Sequence, residues 1–221
     1  MSAPVSIEVS WFWDWVPGAG SDDVERATWA DSVGSRLGEW VGAKVANARA
    51  AWPADSAEEF PFTVDDMGAA VTRDLLERAD AVPPNCRLIW GAGFIGDEAR
   101  WLPLLILAEF RQALPEDPAY LMAMVGADGL PEDVREPAVD YVTTEHGDGV
   151  RVQALAQSEG EGLHGRVNAA LRLDRPGVDV LLTTRVSGLD QLAVIGSGVE
   201  AVMHMIAGQL PELQFVPPEP S

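Results

Sequence analysis

The sequence predicts an α+β fold: an antiparallel, meander-type sheet of about six or seven strands with helices packed on it. Three observations carry this expectation. Two hairpin signals, His146-Gly147-Asp148-Gly149 and Asp174-Arg175-Pro176-Gly177, each lie between runs of β-forming residues. A long helical periodicity runs from Asp22 to Trp52. Strands and helices do not alternate one for one, as a parallel sheet requires.

The elements follow in order. Val5, Ile7, Val9, Trp11, Trp13 and Trp15 alternate with Ser6, Glu8, Ser10, Phe12 and Asp14, which is the period of a half-buried strand. Pro17 and Gly18 end it. Trp11, Trp13 and Trp15 fall in one row on one face. Such a row packs against a helix or forms an exposed ledge for a partner, and both readings stay open.

Over Asp22 to Trp52, Trp29, Val33, Leu37, Trp40, Val41, Val45 and Trp52 recur at helical spacing, and Pro53 ends the helix. A second stripe, Ala30, Gly34, Gly38, Gly42 and Ala46, recurs every four residues. Glycine inside a helix costs about 1 kcal/mol relative to alanine, so something must offset it. A bare ridge lets another backbone approach closely. That neighbour is the protein's own sheet or a partner's helix. Arg36, Glu39 and Lys44 on the same helix exclude a lipid setting.

A second helix is expected over Val64 to Ala81. Thr63 and Asp66 form its capping pair, Met67, Val71, Leu75 and Val82 its apolar edge, and Pro83-Pro84 its stop. Arg87–Ile95 and Arg100–Phe110 form a hairpin around Gly96-Asp97-Glu98-Ala99, with Pro103 requiring an edge position or a bulge. Asp117-Pro118 starts a short helix over Ala119–Val125, which Gly126 and Gly129 end. Leu130–Pro137 is a loop. Val139–Thr144 and Val150–Leu155 flank the first hairpin signal; Gly165–Leu173 and Val178–Val186 flank the second. A last helix carries Leu189, Leu192, Gly196, Val199, Met203, Ile206 and Leu210 at helical spacing. One domain over residues 1–216 and a disordered tail over 217–221 are expected. The element pattern resembles the Mog1/PsbP-like sandwich, which by itself implies no function.

The hexapeptide GAGFIG, residues 91–96, resembles the phosphate loop of extended short-chain dehydrogenases and sugar-nucleotide epimerases. That resemblance implies an NAD(P)-binding oxidoreductase or epimerase with Gly91, Gly93 and Gly96 on the pyrophosphate. The surrounding residues argue otherwise. Asp97 and Glu98 would already occupy the helix N-terminus that must face the dianion. Pro103 would interrupt that helix. Glu116 stands at the family's spacing for the ribose-binding acid, but inside Pro-Glu-Asp-Pro. The family's Tyr-x-x-x-Lys pair is missing, since Lys44 is the only lysine. Reading Gly91 and Gly93 as sites of close approach within a strand uses the same residues better.

Composition narrows the remaining classes. Fifteen basic against 35 acidic residues give a net charge of −20, which repels phosphate backbones and anionic lipid. Nucleic acid and membranes are therefore not expected partners; a basic protein surface or self-association is. Cys86 is the only cysteine, in keeping with a cytoplasmic setting. The N-terminus has no basic residue before Arg26 and reads as no signal peptide. Abundant Ala, Gly and Val with a single lysine suggests a GC-rich bacterial genome.

The histidines His146, His164 and His204 bring no third ligand with them in sequence, so no metal is expected. Ser197 in Gly-Ser-Gly reads as a helix irregularity. Trp40-Val41-Gly42 and Tyr141–Glu145 resemble the paired elements of type VII secretion substrates, but a hundred residues separate them. The expectation is a non-enzymatic interaction or accessory protein without a cofactor. Its candidate contact residues are Trp11, Trp13, Trp15, Gly34, Gly38 and Gly42.

Overall fold

The computed structural model describes residues 9–61, 64–95, 101–113, 118–160, 162–173 and 177–209. Its elements run β1 (Val9–Trp15), α1 (Asp23–Ala50), α2 (Val64–Ala81), β2 (Cys86–Ile95), β3 (Trp101–Gln112), α3 (Pro118–Val125), β4 (Ala138–Thr144), β5 (Gly147–Ser158), β6 (Gly162–Leu173), β7 (Val178–Val186) and α4 (Leu189–Gln209). The strands form one seven-stranded sheet in the order β1-β2-β3-β7-β6-β5-β4, antiparallel at every step. Two meanders, β1-β2-β3 and β4-β5-β6-β7, are thus zipped together along β3 and β7. The predicted α+β class with an antiparallel sheet is the class found.

The sheet curls around α4, which touches both edge strands, β1 and β4. This inner face holds the largest core, with Ile106, Val167, Leu171, Val180 and Leu182 against Ile195, Val199, Met203 and Ile206. The stretch Gln191–Gln209 is apolar and long enough to cross a membrane, and its apolarity is that of the helix at the centre of this core. The outer face carries α1 and α2 over β2, where Val33, Leu37 and Leu75 meet Leu88 and Trp90. At the other end of the same face α3 sets Leu121 and Val125 against Val150, Val152 and Ala170.

Local sequence accounts for the element ends. Asp22 caps α1 by accepting the Glu25 backbone N–H at 2.7 Å. Gly126 and Gly129 adopt φ of 73° and 90° and stop α3. Pro103 pairs with Ala92 of β2, while the β3–β7 ladder begins only at Leu107. The proline therefore lies where β3 is still an edge, and its missing N–H breaks no ladder.

Two expectations need correction. The first hairpin turns at Glu145-His146, with Thr144 paired to Gly147, not over residues 146–149. Gly147 and Gly149 already belong to β5 and serve close packing. A Cβ on Gly147 would meet the Arg172 carbonyl, and one on Gly149 would stand 2.5 Å from the Ala170 carbonyl oxygen. The buried edge of α2 runs through Gly68, Thr72, Leu75 and Ala79, while Val71 is exposed. The cause is that α2 packs chiefly on α1, where small residues are needed, rather than on the sheet. His164 and His146 do not approach each other. β5 pairs Gly147 with Leu173 and Ala156 with His164, which sets the two histidines at opposite ends of the strands. Val5, Ile7, Thr63, the turn Gly96–Ala99, Asp117, residues 174–176 and the tail 217–221 lie outside the described residues.

Candidate functional site

The tryptophan row and the glycine hexapeptide are brought together by the β1–β2 register. Trp13 pairs with Gly91 and Trp11 with Gly93. A Cβ on Gly91 would stand 2.6 Å from Trp13 Cδ2, and one on Gly93 2.6 Å from two ring atoms of Trp11. The glycines of the hexapeptide are the seats of two indoles, which stack on each other at 5.3 Å. Both glycines lie inside β2, antiparallel to β1 on one side and β3 on the other. The junction of parallel strand and helix that the dehydrogenase resemblance implies is not their setting. Gly96 lies outside the described residues.

On its other side the row meets α4. A Cβ on Gly198 would approach Trp11 ring atoms to 2.8 Å, and Trp11 Nε1 donates to the Ser197 hydroxyl at 3.2 Å. Trp15 Nε1 donates to Gln209 Oε1 at 2.9 Å. From the opposite limb of the sheet, Arg151 donates to the Gly196 carbonyl at 2.6 Å and to Glu200 at 2.7 Å, and Gln153 donates to the Leu192 carbonyl. Gly196-Ser197-Gly198 is thus the point where both limbs of the curled sheet close on one helix. Sequence reading registered Gly-Ser-Gly as an irregularity but missed this purpose. The signal was present: two glycines flanking a serine inside an otherwise apolar helical period.

The small-residue ridge of α1 faces another helix of the same chain, not the sheet. A Cβ on Gly68 of α2 would lie 2.8 Å from the Gly34 carbonyl oxygen, so the two backbones nearly touch there. Thr72 Oγ1 turns back to the Gly68 carbonyl at 2.7 Å. Further along, among the described residues, no heavy atom stands within 4 Å of a Cβ built on Gly42. Gly34 and Gly38, with Ala30, Ala69 and Thr72, line a groove of about 750 Å³ between α1 and α2. Asp31, Glu39 and Arg73 stand along it.

The side chains best suited to chemistry are otherwise engaged. The Ser197 hydroxyl donates to the Val194 carbonyl while accepting from Trp11. Burial and the neighbouring Glu109 carboxylate push the Cys86 thiol up, away from the thiolate a nucleophile needs. His164 is buried, with Nδ1 3.2 Å from the Gly162 carbonyl. Among the described residues no three His, Cys, Asp or Glu side chains converge as metal ligands. Arg166 and Asp133 form a buried pair at 2.6 Å with side chains 3% and 4% exposed, which ties the 130–137 loop to β6. Compared with known proteins, the chain matches no family model, no curated protein and no solved structure.

Proposed function

We propose that this is a non-enzymatic interaction or accessory protein that binds another protein through its outer helical layer. The observation that carries the reading is the part of the α1 ridge from the groove at Gly38 to Gly42, where no described residue stands within 4 Å of a new Cβ. By contrast, α2 packs beside Gly34 on the same ridge, and indoles occupy the space at Gly91, Gly93 and Gly198. A bare helical ridge left open suits a second helix laid across it. The net charge of −20 and the groove's Asp31 and Glu39 favour a partner whose contacting face is basic.

Paired affinity captures test this, with the wild-type protein and Gly42→Leu as baits. A Cβ at Gly42 meets none of the described residues within 4 Å, so Gly42→Leu should keep a melting temperature near the wild-type value. Gly38→Leu serves as a second blocking variant within the groove. The expected result is a protein, or a second copy of this chain, retained by the wild type and lost by both variants. Identical captures from all three baits, with unchanged mass by light scattering, would overturn the reading.

A further inference from the structure

A second cavity, apart from the ridge, lies where β1 turns into α1. It is a cleft of about 940 Å³ bounded by the Val16–Ser21 turn, the start of α1, and the end of α2 with Pro83-Pro84. That volume falls within the range of small-molecule sites. Its lining is mixed: the Trp15 and Trp29 rings and Pro83 share it with Ser21, Cys86, three carboxylates (Asp14, Glu25 and Asp80) and one guanidinium, Arg87.

The charges are not equally free. Arg26 spends its guanidinium on Asp80, at 2.9 Å through both nitrogens, and on the Pro17 and Gly18 carbonyls. Arg87 lies over the rings of Trp15 and Phe110 at 5.9 Å. Asp14 accepts from Trp29 Nε1 at 3.1 Å and from the Trp15 backbone, and among the described residues it forms no ion pair with either guanidinium. A carboxylate has about four acceptor positions, so Asp14 keeps capacity for a further donor. Anions are disfavoured here, because Asp22, Asp23 and Glu25 already complement the α1 N-terminus.

We propose that this cleft binds a small organic cation, an amine with an apolar body. Its ammonium sits on the Asp14 carboxylate and its body lies against Trp29 and Pro83. An ammonium beside an indole gains cation–π attraction as well as charge pairing. Binding requires Asp14 to be ionised. Burial holds its carboxyl above the ordinary range, against the opposing pull of the Trp15 and Trp29 donors and the charge of Arg36. Glu25 and Asp80 add negative charge at the rim, Arg26 and Arg87 positive charge, and Cys86 stays protonated. Affinity therefore falls as pH drops through the Asp14 range, earlier than an exposed aspartate would allow.

The test uses the intact protein and phenethylamine, with 2-phenylethanol and 3-phenylpropanoate as neutral and anionic isosteres. Calorimetry should show the amine binding at least about tenfold more tightly than either isostere. Its titration should shift the Trp29 indole N–H signal in the wild-type NMR spectrum. Asp14→Asn, which keeps an acceptor for Trp29, should lower amine affinity about tenfold or more, while Glu145→Gln, a distant control of equal charge change, should not. Should Asp14→Asn fail to fold, the isostere ranking and the Trp29 shift decide alone. Equal binding of the alcohol, an unmoved Trp29 signal, or no amine binding at about 10 mM would overturn the proposal. Gly42 lies about 20 Å beyond Trp29 along α1, so this site and the ridge fail or stand separately.

Discussion

Gly91 carries no side chain because Trp13 stands where one would be, with Cδ2 2.6 Å from the Cβ position and the Phe12 carbonyl oxygen at 2.5 Å. Neither neighbour yields easily, since one is a stacked ring and the other is ladder backbone. Gly91→Ala should therefore cost about 1–3 kcal/mol, the usual range for overpacking a tight site. Urea denaturation measures the loss, and the near-UV circular dichroism of the stacked Trp11–Trp13 pair should weaken with it. A phosphate-binding glycine in a surface loop would behave differently, losing ligand while the fold kept its stability. A Gly91→Ala protein as stable as wild type, with its near-UV spectrum intact, would refute the seating of Trp13 described above. A dinucleotide loop and an indole seat both select glycine for close approach, which is why GAGFIG resembles a phosphate loop; the strand register supplies the neighbours, Trp13 at Gly91 and Trp11 at Gly93.

At the scale of elements, α4 offers an internal comparison. Gly198 and Gly208 stand in one helix, and replacing either by alanine should gain up to about 1 kcal/mol from helix propensity alone. Among the described residues nothing stands within 4 Å of a new Cβ at Gly208, so that gain should appear as a higher melting temperature. At Gly198 the Cβ would lie 2.8 Å from Trp11, and the strain should reverse the sign to a net loss of about 1–3 kcal/mol. Two thermal melts check this, and a gain at both positions would mean that α4 is not gripped where Trp11 meets it. The elements themselves were legible because their signals are local. The Trp row alternates with period two, Asp22 caps α1, and Gly126 and Gly129 end α3. The partners were not legible. Gly34 gives the same four-residue spacing whether its neighbour is a sheet, a partner or, as found, Gly68 thirty-four residues on. Gly147 sits beside a turn in sequence, yet answers to Arg172 across the sheet. Of the candidate contact residues, the sequence marked both rows, but only tertiary packing could show that Trp11 and Trp15 are claimed by α4 and that Gly42 is unclaimed.

The whole molecule carries its charge unevenly between pairing and excess. Arg166 with Asp133, Arg172 with Asp179, and Arg151 with Asp140 and Glu200 tie strands, loop and α4 together at 2.6–2.8 Å. Arg166–Asp133 is buried on both sides and Asp179 is fully buried, so salt screens those two pairs weakly, whereas Asp140 and Glu200 opposite Arg151 are about half exposed. The remaining imbalance, 35 acidic against 15 basic residues, opposes compaction by self-repulsion. Raising NaCl from about 0.01 M to about 1 M shortens the Debye length from about 30 Å to about 3 Å and removes most of that repulsion. The midpoint of urea unfolding should therefore rise with NaCl. Chloride is preferable to sulfate, which strengthens apolar burial regardless of charge. Association with a basic partner should respond in the opposite sense, weakening as the same field is screened. The fold and the proposed interaction thus carry opposite salt slopes. A midpoint that falls with NaCl would mean that exposed ion pairs outweigh the net charge in holding the sheet around α4.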